Sequence, residues 1–244
     1  MLQDLTEIDS FGWTALKGAL NQRLVVTAVR FVPGKANRVW IVETNVRPVV
    51  VKRFLTDGCP NEFESLLQAR KAGLDVPFPM SAGNNTIIME YIPGDTCDRL
   101  VNQMFSSAAA TGMGRWLFQY HNLAEDGEKR RLMGDTTLSN FILSEGRIFG
   151  LDLEDSRLGN PLDDLGQLAA SMLASEPFFT PIKFDLCLRM LESYEKNSSS
   201  RVVEAVRPHI AMNLRLQARA KPLFRRIFHS AAKTLEEEWP TVAR

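Results

Sequence analysis

Gly134-Asp135-Thr136-Thr137-Leu138-Ser139-Asn140, followed by Phe141-Ile142-Leu143, Ser144-Glu145-Gly146, Arg147-Ile148-Phe149-Gly150 and then Leu151-Asp152-Leu153-Glu154-Asp155, is the stretch on which the fold turns. The two apolar runs around Ser144-Glu145-Gly146 read as a β-hairpin with a three-residue turn, Gly146 standing where a positive φ is wanted. An Asp, an Asn five residues later, a hairpin and another Asp at its end make a pattern suited to phosphoryl transfer. A carboxylate must face an incoming hydroxyl, while an amide oxygen and a second carboxylate supply hard oxygen donors to magnesium among nucleotide phosphates. Read alone, Asp135 and Asn140 would equally suit a polar turn.

Upstream, residues 24–32, 38–44 and 49–54 are β-rich runs separated by Pro33-Gly34-Lys35 and Asn45-Val46-Arg47-Pro48, which predicts an antiparallel meander. Lys52 lies inside the third, otherwise apolar run, where a cation needs an anion beside it. A helix is expected after Pro60-Asn61, with Phe63, Leu66, Leu67 and Arg70 at helical spacing, stopping at Gly73. Glu62 and Glu64 border its apolar stripe on opposite sides, and either could meet Lys52. The loop Val76-Pro77-Phe78-Pro79 follows, then an extended run over 86–92 that ends at Pro93-Gly94.

Beyond that turn the pattern is helical. Helices are expected over 108–122, 161–173, 184–194, 201–217 and 222–238, with Ser198-Ser199-Ser200 as a polar break. His121 falls on the apolar side of the first of these and reads as a hydrogen-bonded core histidine. Met89 reads as the wall of a pocket rather than a chemical group.

Bulk composition narrows the classes. The 244 residues are 45% hydrophobic and 24% charged, as in a globular chain able to bury a core without disulfides. Three cysteines and three histidines, all widely spaced, make neither a disulfide framework nor a histidine metal site, and a reducing, cytoplasmic setting is expected. Residues 1–9 carry acids and no Lys or Arg, unlike a leader peptide, and no apolar stretch approaches the roughly 18 residues a transmembrane helix needs. The 29 basic and 29 acidic residues balance, yet unevenly. Arg207, Arg215, Arg219, Lys221, Arg225, Arg226 and Lys233 lie within 205–235, where no acid occurs, so an anionic partner at the C-terminal helices stays open beside the plainer reading of a solvated face.

In order along the chain, Lys52, the helix Glu, Ile87-Ile88-Met89-Glu90-Tyr91-Ile92-Pro93-Gly94, Asp135 with Asn140, and Asp152 resemble the protein-kinase-like superfamily over about 25–194. Gly73-Leu74-Asp75-Val76-Pro77-Phe78-Pro79 is similar to a loop of aminoglycoside and choline phosphotransferases and of lipopolysaccharide core kinases. Leu158-Gly159-Asn160-Pro161-Leu162-Asp163-Asp164-Leu165 resembles the segment that follows the metal Asp in small-molecule phosphotransferases, which makes Asp164 a brace for the catalytic loop. About 40 residues between Pro93 and Asp135, and Thr137 and Ser139 inside the loop, look more like small atypical kinases: the RIO type, the kinase of the tRNA-modifying KEOPS complex, and lipopolysaccharide kinases.

The resemblance implies an α+β, two-lobed kinase-like fold, with a small antiparallel N-lobe over 1–92 and a mostly helical C-lobe over 93–244. It implies ATP and Mg²⁺: Lys52, held by a glutamate for which the family's helix register favours Glu64, on the phosphates; Gly34 in the covering loop; Glu90, Tyr91 and Ile92 against adenine; Asn140 and Asp152 on magnesium; Asp135 as base. The acceptor would be a hydroxyl of a protein Ser/Thr or a lipopolysaccharide sugar, with an aminoglycoside- or choline-type small molecule as the alternative. Met133-Gly134 precedes Asp135 where regulated kinases carry His-Arg, which implies no switching by activation-loop phosphate. The covering loop has one Gly where those kinases have three, and this keeps a nucleotide-binding pseudokinase that docks a partner as a further alternative.

Overall fold

Val49-Val50-Val51 is a β-branched run that favours a pleated, buried strand, and it forms the middle of the larger sheet. In the computed structural model, which describes residues 18, 25–33, 37–198 and 201–237, β1 (Val26–Val32), β2 (Arg38–Thr44) and β3 (Val49–Arg53) make the antiparallel meander. Two further strands, β4 (Pro79–Gly83) and β5 (Thr86–Glu90), complete the order β1-β2-β3-β5-β4. The loop expected over 76–79 ends one residue early, because Pro79 already belongs to β4. Its leading Pro79 has no N–H to give, which suits the first position of an edge strand.

Trp40, Val42, Val49, Val51 and Ile88 form the core of this sheet, with Val26, Val29 and Met80 packed against them. Helix α1 (Cys59–Lys71) begins with a Pro in its first turn and packs on β4 and β5, and its Leu66 and Ala69 have no exposed surface. Burying a side chain such as Leu66 contributes on the order of 1.5–3 kcal/mol.

The chain divides into two units, one reaching to Pro93 and including Leu153–Asp155, the other comprising Gly94–Asp152 and Ser156 onward. Gly94 opens the second unit with φ 151°, and a Cβ there would lie 2.3 Å from the Leu143 carbonyl oxygen, so only glycine fits. That close approach lets β6 (Asp95–Thr96) pair with β9 (Phe141–Ser144), which also pairs with β10 (Arg147–Gly150). Ser144 pairs directly with Arg147, so the turn is the two residues Glu145-Gly146, at φ 49° and 76°, rather than three. Positive φ at both central residues matches the twist of the strands they join.

Between these strands come α2 (Cys97–Asn102) and α3 (Ser107–His121), each with a hydroxyl cap, from Thr96 and Ser106. A second small sheet, β11-β8-β7, is built from β7 (Glu125–Asp126), β8 (Lys129–Leu132) and β11 (Arg157–Gly159). Helices α4 (Pro161–Leu173), α5 (Pro181–Glu195), α6 (Val202–Ala205), α7 (Arg207–Ala220) and α8 (Arg225–Glu237) follow. The helix expected over 201–217 is thus split. Pro208 sits in the first turn of α7, where its missing N–H does no harm but could not continue a preceding helix. The helix expected over 222–238 starts instead with the 3₁₀ turn Pro222–Phe224, and Glu238 lies outside the described residues. Among the described residues no helix is long and apolar enough to cross a membrane.

Candidate active site

In the first unit the chemistry gathers at Lys52. It leaves β3 with only 5% of its surface exposed, and Nζ lies 2.5 Å from Oε2 of Glu62, itself 1% exposed. A second carboxylate, Glu154, stands 3.6 Å from the same Nζ, and the amine also sits 4.6 Å from the centre of the Phe54 ring. Glu154 is fixed from two sides. Asn37 donates to its Oε2 at 2.6 Å, and Asn61 donates to its backbone oxygen at 2.7 Å. A buried lysine is thereby matched by carboxylates, as desolvation requires.

Glu64 is not the partner of Lys52. It is exposed and accepts instead from Gln68, one turn along the helix, at 2.8 Å. The face of α1 that is buried runs through Cys59, Glu62, Ser65, Leu66 and Ala69, whereas Leu67 is 36% exposed. The stripe expected from Phe63, Leu66, Leu67 and Arg70 was therefore turned too far, because the small residues Ser65 and Ala69 carry little hydrophobic signal.

Glu90 ends β5 opposite Val49, with Tyr91 and Ile92 continuing outside any regular element. The Glu90 carboxylate accepts from the Phe78 N–H at 3.1 Å, and Ile92 and Met89 are each 6% exposed. Gly34 lies outside the described residues.

In the second unit the loop 133–140 carries Asp135. Asn140 closes a 3₁₀ turn, and its Nδ2 donates to both the backbone oxygen (2.9 Å) and Oδ2 (3.2 Å) of Asp135. That leaves Oδ1 as the Asn140 amide atom not committed to the pair. The Asn140 carbonyl accepts from Leu151 N–H at 2.8 Å, which ties the loop to the chain just before Asp152. Asp152 has φ 60°, in the left-handed region that Asp enters more readily than most non-glycine residues.

Behind the loop, Asp164 is 1% exposed and accepts from the N–H groups of Met133 (2.6 Å) and Gly134 (3.1 Å) and from Nε2 of His121 (3.1 Å). The other ring nitrogen of His121 lies 2.9 Å from the Tyr194 hydroxyl, which burial, and secondarily the Asp164 charge, holds in its protonated form. His121 is wholly buried and hydrogen-bonded on both nitrogens, a structural group. One residue escaped the sequence reading: Gln167, whose Nε2 donates to Oδ1 of Asp135 at 3.1 Å. Its only signal was a lone amide among the apolar positions of α4, one helical turn after Asp164.

The donor set of Asn140 and Asp152, an amide oxygen and a carboxylate, is the hard-oxygen chemistry magnesium prefers, and the commitment of the Asn140 nitrogen to Asp135 fits a metal on its other atom.

These elements define the class: the chain has the protein-kinase-like α+β fold. An amicoumacin kinase, solved with AMP-PNP, Ca²⁺ and amicoumacin, superposes with TM-score 0.69 over 97% of this chain and 96% of its own, at 11% identity. A choline/ethanolamine kinase family protein from Mesorhizobium loti gives 0.66 over 93% and 95%, at 15% identity, and an ADP-bound aminoglycoside phosphotransferase gives 0.64 over 93% and 96%, at 14%. In sequence the chain is 25% identical over 134 residues to a probable bifunctional tRNA threonylcarbamoyladenosine biosynthesis protein of Methanospirillum hungatei, a match that takes in 55% of this chain and 24% of that one. The chain thus spans about a quarter of that relative's length. No protein-family profile matches it.

Proposed function

We propose that this protein is an ATP-dependent phosphotransferase that moves the γ-phosphoryl group to a hydroxyl. The observation that carries the reading is the Asp135 carboxylate gripped by Asn140, on a loop tied to Asp152 through Leu151. Asp135 aligns the acceptor hydroxyl and takes its proton as the new P–O bond forms; the bond from the γ-phosphorus to the bridging oxygen breaks and ADP leaves with that oxygen. Lys52, held by Glu62, orients the α- and β-phosphates. Asn140 and Asp152 would hold Mg²⁺, which when bound neutralises phosphate charge. Gly34 would meet the phosphates, and the backbone of Glu90, Tyr91 and Ile92 the adenine.

The acceptor is a hydroxyl of a protein Ser/Thr or a lipopolysaccharide sugar or, on a second reading, a small-molecule alcohol. The second is favoured by likeness along nearly the whole chain to proteins whose names mark them as kinases of small molecules. An assay with γ-labelled ATP and Mg²⁺ against protein, lipid-sugar, aminoglycoside and choline acceptors tests both. Label on any hydroxyl supports the enzyme and names its acceptor class; nucleotide binding with no transfer to any of them supports the pseudokinase.

Arg219, Arg225, Arg226 and Lys233 are exposed on α7 and α8, whereas Arg215 is paired bidentately with Glu236. This basic surface is the place at which an anionic partner would dock, and its binding would weaken as salt is raised.

A further inference from the structure

We infer that Gln167 is a positioning residue that fixes the orientation of the Asp135 carboxylate, making α4 a two-point brace for the catalytic loop; as a role in turnover this rests on the function proposed above. The orientation of the Gln167 amide is set by chemistry. The Thr136 N–H can only donate, and it points at Oε1 of Gln167 at 3.0 Å. The amide nitrogen must then be the atom 3.1 Å from Asp135 Oδ1. Asn140 Nδ2 holds the other oxygen, Oδ2, at 3.2 Å. With an N–H on each oxygen, the carboxylate cannot rotate about its last bond without breaking a hydrogen bond.

Gln167 can serve this way because its backbone is rigid. Leu165, Leu168 and Ala169 around it on α4 have no exposed surface. One turn earlier on the same helix Asp164 accepts from the N–H groups of Met133 and Gly134, and its own carbonyl faces the Thr136 hydroxyl at 2.7 Å. The two side chains, three residues apart, lie on one helix face and grip the loop on either side of its turn at Gly134 and Asp135. The loop's geometry is thus carried by a packed helix rather than by the loop itself. Misplacing a catalytic group by about 1 Å can cost about 100-fold in rate.

Gln167→Glu separates this role from packing. It keeps the length and the oxygen that receives the Thr136 N–H, but replaces the N–H facing Asp135 with a second carboxylate oxygen. The first readout needs no turnover. Gln167→Glu should lower the melting temperature by on the order of 2–4 °C, and adding Asp135→Asn, whose amide can donate to the new carboxylate, should recover most of the loss. Additive effects of the two substitutions would overturn the contact. In the transfer assay, Gln167→Glu should lower kcat about 100-fold with KM for ATP unchanged. Unchanged kcat, or a KM that rises in step with the loss, would overturn the positioning role. A wild-type protein inert with every acceptor would instead sink the proposed function, and the melting cycle would still decide whether Gln167 holds Asp135.

Discussion

Lys52 reaches from the third strand of the large sheet to Glu62 on α1, Nζ to Oε2 at 2.5 Å, with both side chains withdrawn from solvent. A buried pair of this kind is costly to break, because removing Glu62 leaves the desolvated Lys52 amine to the longer Glu154 contact at 3.6 Å. Glu62→Ala is expected to lower the unfolding free energy by about 3–5 kcal/mol. Glu64→Ala, two residues away but exposed, should change it by less than about 0.5 kcal/mol. Urea denaturation of the two variants side by side checks the assignment, and equal effects would contradict it.

Gly150, at the end of β10, lies against the Trp116 ring: a Cβ there would fall 2.1 Å from the ring edge. Trp116 has no room to retreat, being stacked on Tyr120 at 5.1 Å and set edge-on to Phe141 at 5.5 Å. Gly150→Ala should cost about 1–3 kcal/mol through overpacking. Because the strand leads directly to Asp152, the same change should weaken magnesium-dependent nucleotide binding, measured by thermal shift with and without the metal.

Lys183 of α5 is fully buried, and its amine donates to Asn102 Oδ1 at 2.8 Å and to the Ser175 hydroxyl at 2.9 Å, with the Ser175 carbonyl also in contact. Burial lowers its pKa to about 8 from 10.5. Between those values the unfolded chain binds a proton that the folded chain does not, so this group makes stability rise with pH over that window. Below about pH 8 the cost of carrying a buried charge is fully present. Lys183→Met should therefore flatten the dependence of the melting temperature on pH between 8 and 10.5; an unaltered slope would count against the assignment.

What could be read from the residues, and what could not, follows from the range of the interactions involved. Runs such as Val49-Val50-Val51 announce a strand locally, and the helix expected over 161–173 is α4, which Asn160 caps by accepting from the Leu162 N–H at 3.0 Å. Strand β8, in contrast, is Lys129-Arg130-Arg131-Leu132, with no alternation of apolar and polar residues, and exists because β11 pairs with it from 25 residues further on, Arg157 opposite Leu132. The choice of Glu62 over Glu64, and Gln167 altogether, were hidden for a related reason. Each is a polar residue on a buried helix face, and a hydropathy pattern cannot distinguish a face closed by small residues from one open to water. The hairpin that separates Asp152 from Asp135 and Asn140 was legible because its two apolar runs and its turn are local in sequence.

Asp152→Ala should abolish the magnesium-dependent part of nucleotide binding, since it removes the carboxylate of the proposed metal pair while leaving the Lys52–Glu62 pair in place. Calorimetric titration with ATP, with and without magnesium, reads this directly; metal-dependent binding retained in the variant would contradict the role.

The central claim is that Asp135 acts as the base of a phosphotransferase, and transfer of label from γ-labelled ATP, compared between the wild-type protein and Asp135→Asn, tests it most directly. The expected result is transfer to a hydroxyl acceptor by the wild type and a loss of at least about 100-fold in the variant, with stabilisation by magnesium and ATP retained in both. Transfer by Asp135→Asn at the wild-type rate would contradict the claim.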